Sequence, residues 1–154
     1  MPHAPSDLQA TLKRWTLLLG VLQVTVGCLV GFIPPSAVAW YRGLVMAHIE
    51  FTANGVLVIV FGFLATELNL PAMALKAWFV LLQVGAWTNG AAGLVGAFAG
   101  SSSPLMPSLN EKFPPPGGAD NPIVTGLLQT CGVAIVVALL LTLWGLWRRR
   151  PAAA

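Results

Sequence analysis

Charge is the scarcest property of this sequence, since only 8% of its 154 residues are charged. A soluble domain carries about 25% charged residues, because its surface must be covered by groups that water solvates. Hydrophobic residues make up 56% of the chain. The composition therefore excludes a soluble globular domain and predicts an integral membrane protein with the lipid bilayer as its partner. The net charge of +3 comes from cations beside apolar runs, so it does not indicate a nucleic-acid partner.

Cysteine, histidine and tyrosine are also rare, with two Cys, two His and one Tyr in the chain. Cys28 and Cys131 both fall in predicted apolar helices, where cysteine is usually a small packing residue. A zinc site needs three or four good ligands. His48 is the one histidine inside a predicted membrane segment, so a metal held only by side chains of this chain is not expected.

Four apolar runs are long enough to cross a bilayer, which needs about 20 helical residues. The predicted spans cover residues 15–33, 44–66, 72–99 and 122–147, with a long Pro-, Gly- and Ser-rich loop over residues 100–121. The first 14 residues are predicted to be a polar, poorly ordered N-terminal segment. The sequence thus predicts one all-α integral membrane domain over residues 1–154, built as a four-transmembrane-helix bundle.

The positive residues predict the orientation of this bundle. Four spans place both termini on one side of the membrane, together with six of the eight cations. The cations on the other side are Arg42 and Lys112. By the positive-inside rule, both termini are cytoplasmic, and the protein is a multi-pass protein of the inner (cytoplasmic) membrane.

The second span holds polar side chains that are costly to place in hydrocarbon, among them His48, Glu50 and Asn54. A rise of 1.5 Å per residue places Asn54 about 18 Å and Asn89 about 15 Å from the same membrane boundary. His48 and Asn54 lie about 120° apart around the helix, so they do not form one stripe. One ligand can meet both only across the helix edge or at a subunit boundary. The alternative, that this polar layer only joins the helices, stays open.

Small and amide-bearing residues are interpreted as packing devices. Glycines let helix backbones approach closely, which favours self-association but serves packing within one subunit equally well. Amide side chains form hydrogen bonds between membrane helices. The glycines are Gly27, Gly31, Gly90, Gly93, Gly96 and Gly100, and the amides interpreted in this way are Gln23 and Gln129.

His48 is the candidate ligand of a cofactor, although a lone intramembrane histidine is ordinarily a packing residue. Haem asks least of the protein, since the porphyrin supplies four nitrogens and one histidine completes a five-coordinate iron. A two-histidine cytochrome would need a second intramembrane histidine. An iron with one open face binds small molecules and acts as a Lewis acid.

Two segments resemble those of the styrene oxide isomerase family. They are Ala47-His48-x5-Asn54-Gly55 on the second span and Ala86-Trp87-Thr88-Asn89 on the third. The four spans and the Pro/Gly-rich loop before the last span also fit. The resemblance implies a membrane-embedded homotrimer, with haem b at subunit boundaries, that converts aryl epoxides into aldehydes without net redox change.

Carried across residue by residue, the resemblance makes His48 the axial ligand of the haem iron. Asn54 then helps to orient the substrate in the open pocket, and Asn89 contributes to the same pocket. Arg42 and Lys112 are the outer-side cations that can pair with haem propionates, with loop solvation as their alternative role.

The chain departs from the family pattern at Gly93, where the family has a Tyr one turn after the third-helix Asn. The missing phenol removes a hydrogen-bond donor to the epoxide or the developing oxyanion. Either Trp87 or Thr88 substitutes as the catalytic donor, or the space beside Gly93 admits a bulkier substrate, or the haem remains without isomerase activity. The leading prediction is a haem-dependent isomerase of small lipophilic epoxides. The alternatives are a non-catalytic haem protein that senses or binds a small gas, and a cofactor-free structural subunit.

Overall fold

Helices form the regular structure of residues 7–148, the part of the chain that the computed structural model describes. In chain order they are α1 (Asp7–Val30), α2 (Tyr41–Leu64), α3 (Ala72–Ala99), α4 (Pro107–Lys112) and α5 (Pro122–Trp147), with a 3-10 turn at Pro35–Ala37. Residues 7–148 contain no strand. The helices α1, α2, α3 and α5 are long and apolar enough to cross a membrane, which confirms the predicted all-α protein with four spans.

The two central helices are α2 and α3, with α1 packed against α2 and α5 packed against α3. At one end of the bundle, Gln9 Nε2 donates to the Leu68 carbonyl at 2.9 Å. At the same end, the Asn69 backbone N–H donates to the Gly145 carbonyl at 3.0 Å. The start of α1, the turn between α2 and α3 and the end of α5 therefore lie together, as four antiparallel spans require. The side of the membrane that this end faces stays a prediction.

Proline and glycine residues mark the ends of α3 and α5, and the bounds of both helices match their predicted spans. Pro71 precedes α3, and Gly100 ends it in the left-handed conformation at φ 66°. Pro122 occupies the first turn of α5, where its missing N–H costs nothing.

The bounds of α1 and α2 differ from the prediction. α1 begins at Asp7, so residues 7–14 are helical and the prediction of a poorly ordered N-terminal segment is wrong there. Residues 1–6 lie outside the described range. Apolar character marks the lipid-facing stretch, whereas a helix continues into polar residues such as Lys13 and Arg14, which are good helix formers. For the same reason α2 begins at Tyr41, three residues before its predicted span.

Glycines bring α2 to backbone contact with both of its neighbours. A Cβ on Gly27 of α1 would lie 2.8 Å from the Thr52 backbone nitrogen. A Cβ on Gly93 of α3 would lie 2.7 Å from the Ala47 backbone nitrogen. These close approaches are made inside one chain, so the glycines give no support for self-association.

Residues 100–121, predicted as a loop, contain the short helix α4 and are ordered by side-chain hydrogen bonds. Ser102 Oγ donates to Asn110 Oδ1 at 2.7 Å, and Asn121 Nδ2 donates to Ser101 Oγ at 2.7 Å. Both serines are buried. The segment is therefore a packed cap over the ends of α3 and α5, and not a floppy tether.

Asn121 joins this cap to α5. Its Oδ1 accepts from the backbone N–H groups of Ile123 and Val124 at 2.9 and 3.1 Å. We expect Asn121→Ala to lower the free energy of unfolding by about 1–2 kcal/mol, because the helix cap is lost. Asn121→Asp keeps the capping oxygen and should retain most of that stability. Thermal unfolding in detergent measures the difference, and equal melting temperatures for wild type and Asn121→Ala would contradict the expectation.

Candidate functional site

His48 lies on the side of α2 that faces α1. Its Nδ1 is 2.7 Å from the Gly27 carbonyl oxygen, so Nδ1–H donates to the main chain. Because a carbonyl oxygen only accepts, the bond places a proton on Nδ1 and leaves Nε2 as the ring nitrogen that Gly27 does not engage. No described residue forms a hydrogen bond with Nε2. A histidine held in this way is set up to bind a metal, because ligand histidines ordinarily donate their other N–H to an oxygen.

The His48 imidazole lines a cavity of about 480 Å³ between α1 and α2. The walls are mainly apolar, and they include the phenol of the chain's single tyrosine. The other lining residues are Cys28, Gly31, Phe32, Ile33, Tyr41, Leu44 and Val45. A Cβ on Gly31 would lie 2.9 Å from His48 Nδ1, so a glycine is what lets the imidazole reach α1. The cavity is an open, mainly apolar groove with one histidine in its wall.

A second polar group lies on the opposite side of α2. Asn54 Nδ2 donates to Glu50 Oε2 at 3.3 Å, and Asn89 Nδ2 of α3 donates to the same oxygen. Asn54 and Glu50 are one helical turn apart, so they share a face of α2. The predicted common depth of Asn54 and Asn89 is confirmed, because both reach one carboxylate.

The Glu50 side chain lines a second cavity of about 290 Å³. Arg42 and Leu109 belong to the same wall. The Arg42 guanidinium lies 3.6 Å from the centroid of the Phe113 ring, a cation–π distance. Within residues 7–148, the carboxylate takes its hydrogen bonds from the two asparagines and is paired with no cation.

The predicted site residues therefore fall into two groups separated by α2. His48 faces the larger cavity, whereas Asn54, Asn89 and Arg42 lie on the side of Glu50. This confirms that His48 and Asn54 do not form one stripe. Trp87 packs edge-on against Phe51 with ring centroids 5.8 Å apart, inside the buried contact between α2 and α3. Its catalytic role, like the propionate role of Arg42, stays a prediction.

Gly93 is buried at the contact of α3 with α2 and lines neither cavity. A Cβ there would lie 2.9 Å from Ala47 Cα as well as 2.7 Å from its nitrogen. The expectation that the space beside Gly93 admits a bulkier substrate is therefore wrong, because the Ala47 backbone fills that space. The Thr88 hydroxyl donates to the Val84 carbonyl of its own helix at 2.8 Å, so this donor is already engaged.

The structure adds two residues that the sequence prediction did not place in the site, Glu50 and Tyr41. Glu50 precedes Asn54 by four residues, a spacing that puts both on one helix face. Tyr41 precedes His48 by seven residues, two turns along the same face. Starting the span at Leu44 hid the second signal, because it left Tyr41 in a loop.

The two glutamines interpreted as links between helices differ in outcome. Gln23 is buried, and its Nε2 donates to the Ala86 carbonyl of α3 at 2.8 Å, which confirms the interpretation. Gln129 is exposed on α5, so it forms no such link within the subunit. Burial depends on the rotation of each helix, which depth alone does not give.

The four apolar helices define a multi-pass membrane protein, and a histidine lies in the wall of a mainly apolar groove between two of them. The profile of the styrene oxide isomerase family matches residues 12–147, and the chain belongs to this family. Hydroxylaminobenzene mutase HabB of Ectopseudomonas oleovorans is 31% identical to it over 150 residues, which cover 97% of this chain and 89% of the relative. No solved structure matches the chain. The protein is thus a membrane isomerase or mutase.

Proposed function

We propose that the protein is a haem-dependent isomerase that rearranges small lipophilic aryl substrates within the inner membrane. The observation that carries the proposal is the state of His48. Its Nδ1–H is engaged by the Gly27 carbonyl, its Nε2 has no hydrogen-bond partner among the described residues, and the residue lines a mainly apolar cavity. Family membership supports the isomerisation, since the related proteins are an isomerase and a mutase.

The residues around His48 fit haem b better than a metal bound by side chains alone. Within residues 7–148, no group of three or more His, Cys, Asp or Glu side chains is placed to hold a metal ion. Haem needs one protein ligand and an apolar enclosure. His48 would be that ligand, and Leu44, Val45 and Ile33 would line the enclosure.

A haem iron bound at His48 would supply a Lewis acid for the oxygen of the substrate. The protein's own share is to orient the substrate and to exclude water. Apolar walls protect a substrate in which a carbon–oxygen bond is breaking, because water would otherwise add to the electron-poor carbon. Tyr41 is the phenol in the His48 cavity that can donate a hydrogen bond to the substrate oxygen.

Two substrate classes suit this chemistry. In an aryl epoxide, the benzylic carbon–oxygen bond breaks and a hydrogen migrates with its electron pair to that carbon, which yields an aldehyde with no net redox change. In an aryl hydroxylamine, the nitrogen–oxygen bond breaks and the hydroxyl moves to a ring carbon, which yields an aminophenol. The name of the matched family supports an epoxide, and the name of the related mutase HabB supports a hydroxylamine.

We also propose that the site is completed at a boundary between subunits, with a homotrimer as the family-based assembly. The support is geometric, because the His48 cavity and the Glu50–Asn54–Asn89 group open on opposite sides of α2. A ligand on one face can reach the second group only from another copy of the chain. Arg42 and Lys112 are then the nearby cations for haem propionates.

The test is to express the full chain with haem supplied and to assay the purified protein. We expect a Soret band, and turnover of styrene oxide to an aldehyde, of hydroxylaminobenzene to an aminophenol, or of both. A colourless protein from haem-replete cells would reject the haem-dependent function. A pigmented protein that turns over neither substrate would instead support a non-catalytic haem-binding role.

A further inference from the structure

Glu50 places a carboxyl group where packing alone gives no reason for one. It lies in a membrane-spanning helix, where a charged side chain is costly and usually marks function. Asn54 and Asn89 both direct their Nδ2 groups at one of its oxygens, Oε2. Two amide donors on one oxygen fix the rotamer of the side chain and leave the other oxygen as the open position of the carboxyl group.

The other carboxylate oxygen, Oε1, receives no hydrogen bond from the described residues. Glu50 is half-buried and lines the cavity of about 290 Å³ together with Val45, Met46 and Ile49. The geometry therefore leaves one carboxyl oxygen open in a mainly apolar cavity, where it can accept a hydrogen bond from the N–H or O–H group of an apolar ligand.

Arg42 lines this cavity but does not supply that donor. Its guanidinium lies over the Phe113 ring at 3.6 Å from the ring centroid. Oε1 is thus left available to a ligand.

We propose that Glu50 determines substrate specificity by accepting a hydrogen bond from the N–H or O–H group of an aryl hydroxylamine. The inference rests on the proposed function, in which the Glu50 side of one copy completes the His48 cavity of another, and it names the substrate class of that site. An epoxide oxygen only accepts hydrogen bonds, so it cannot form a hydrogen bond with an accepting oxygen of Glu50. A site built to pair with a donor discriminates against the analogue that lacks it, because the buried polar group is then left unpaired.

The decisive variant is Glu50→Gln, because it reverses the polarity of the open position. The asparagine donors retain the amide oxygen of the substituted side chain at the Oε2 position, which turns its NH₂ toward the cavity. We expect kcat/KM for hydroxylaminobenzene to fall roughly 10- to 100-fold, mainly through KM, since a hydrogen bond to a charged group is lost. For styrene oxide, kcat/KM should stay unchanged or rise, because the new NH₂ can donate to the epoxide oxygen.

The matched control is Glu111→Gln, the same chemical change at an exposed position on α4. It should leave both substrates unchanged. Haem absorbance per protein is measured in all three proteins, so that a loss of folded protein is separated from a change in specificity.

A ligand pair tests the same inference on the wild-type protein, independently of any variant. Aniline carries N–H donors, and N,N-dimethylaniline has the same ring without them. We expect aniline to inhibit at least about 10-fold more strongly than N,N-dimethylaniline, because only aniline can donate to Oε1. In Glu50→Gln that preference should disappear.

The outcomes separate this inference from the proposed function. If Glu50→Gln lowers kcat/KM equally for both substrates, or for neither, Glu50 does not determine specificity. The inference then fails, while the proposed isomerase function is unaffected. Equal inhibition of the wild type by the two anilines leads to the same conclusion. A wild type that turns over neither substrate overturns the proposed function and this inference with it.

Discussion

His48→Ala is expected to remove nearly all haem from the purified protein and to abolish its isomerase activity. The Soret absorbance per protein should fall more than about 10-fold, because loss of a supporting hydrogen bond alone costs 10–100-fold in metal affinity and loss of the ligand costs more. The fold should persist, since α1 and α2 still meet through Gly20 and Gly27, whose contacts with α2 do not involve His48. Absorption spectra and turnover measured on the same sample test both expectations.

The control is His3→Ala, which removes the other histidine of the chain. It should keep both the pigment and the activity. Added imidazole should restore part of the pigment in His48→Ala, because the free base can enter the space left by the side chain. Undiminished haem in His48→Ala would show that another group binds the iron.

Gly93→Tyr, which introduces the tyrosine that the family has at this position, is expected to unfold the protein and not to increase its activity. The first side-chain carbon would already stand 2.7 Å from the Ala47 backbone nitrogen, and the phenol would have to pass through α2. Overpacking a well-packed core costs about 1–3 kcal/mol even when a side chain can yield, so a clash with backbone should cost at least about 3 kcal/mol. Yield of monodisperse protein and thermal unfolding in detergent measure this loss.

Gly126→Tyr is the matched control, because a Cβ at Gly126 of α5 meets no atom within 4 Å. The same substitution there should leave the subunit folded. A stable Gly93→Tyr protein with increased epoxide turnover would show that α2 and α3 can separate, and that the position opens to a pocket after all.

The membrane spans were predictable because the length of an apolar run, and the prolines and glycines at its ends, determine a helix without contacts from other helices. Pro71, Gly100 and Pro122 mark helix ends by their own backbone chemistry, so α3 and α5 match the sequence prediction. The start of α1 was not predictable from hydropathy, since polar residues continue a helix beyond the lipid. The length of an apolar run therefore predicts the part of a helix that lies in the membrane, but not where the helix itself begins.

The site was predictable only in part, because residue spacing gives the angle around one helix but not which helix lies opposite. The angle correctly separates His48 from Asn54. It does not show that Asn89 of α3 meets Glu50, or that Gly93 faces the Ala47 backbone, since both depend on how α3 is rotated against α2. Contacts within one helix are therefore predictable, and contacts between helices need the structure.

The hydrogen bond from His48 to Gly27 has a consequence for mutational robustness. The acceptor is a main-chain carbonyl, so no substitution in α1 can delete it, and the proton stays on Nδ1 through sequence drift. A larger side chain at Gly27 or Gly31 would displace the ring, because a Cβ there would lie 2.8 Å from the Thr52 backbone nitrogen or 2.9 Å from His48 Nδ1. The orientation of the imidazole thus depends on two glycines that leave room for it. A search of the sequence for hydrogen-bonding side chains would not find this contact.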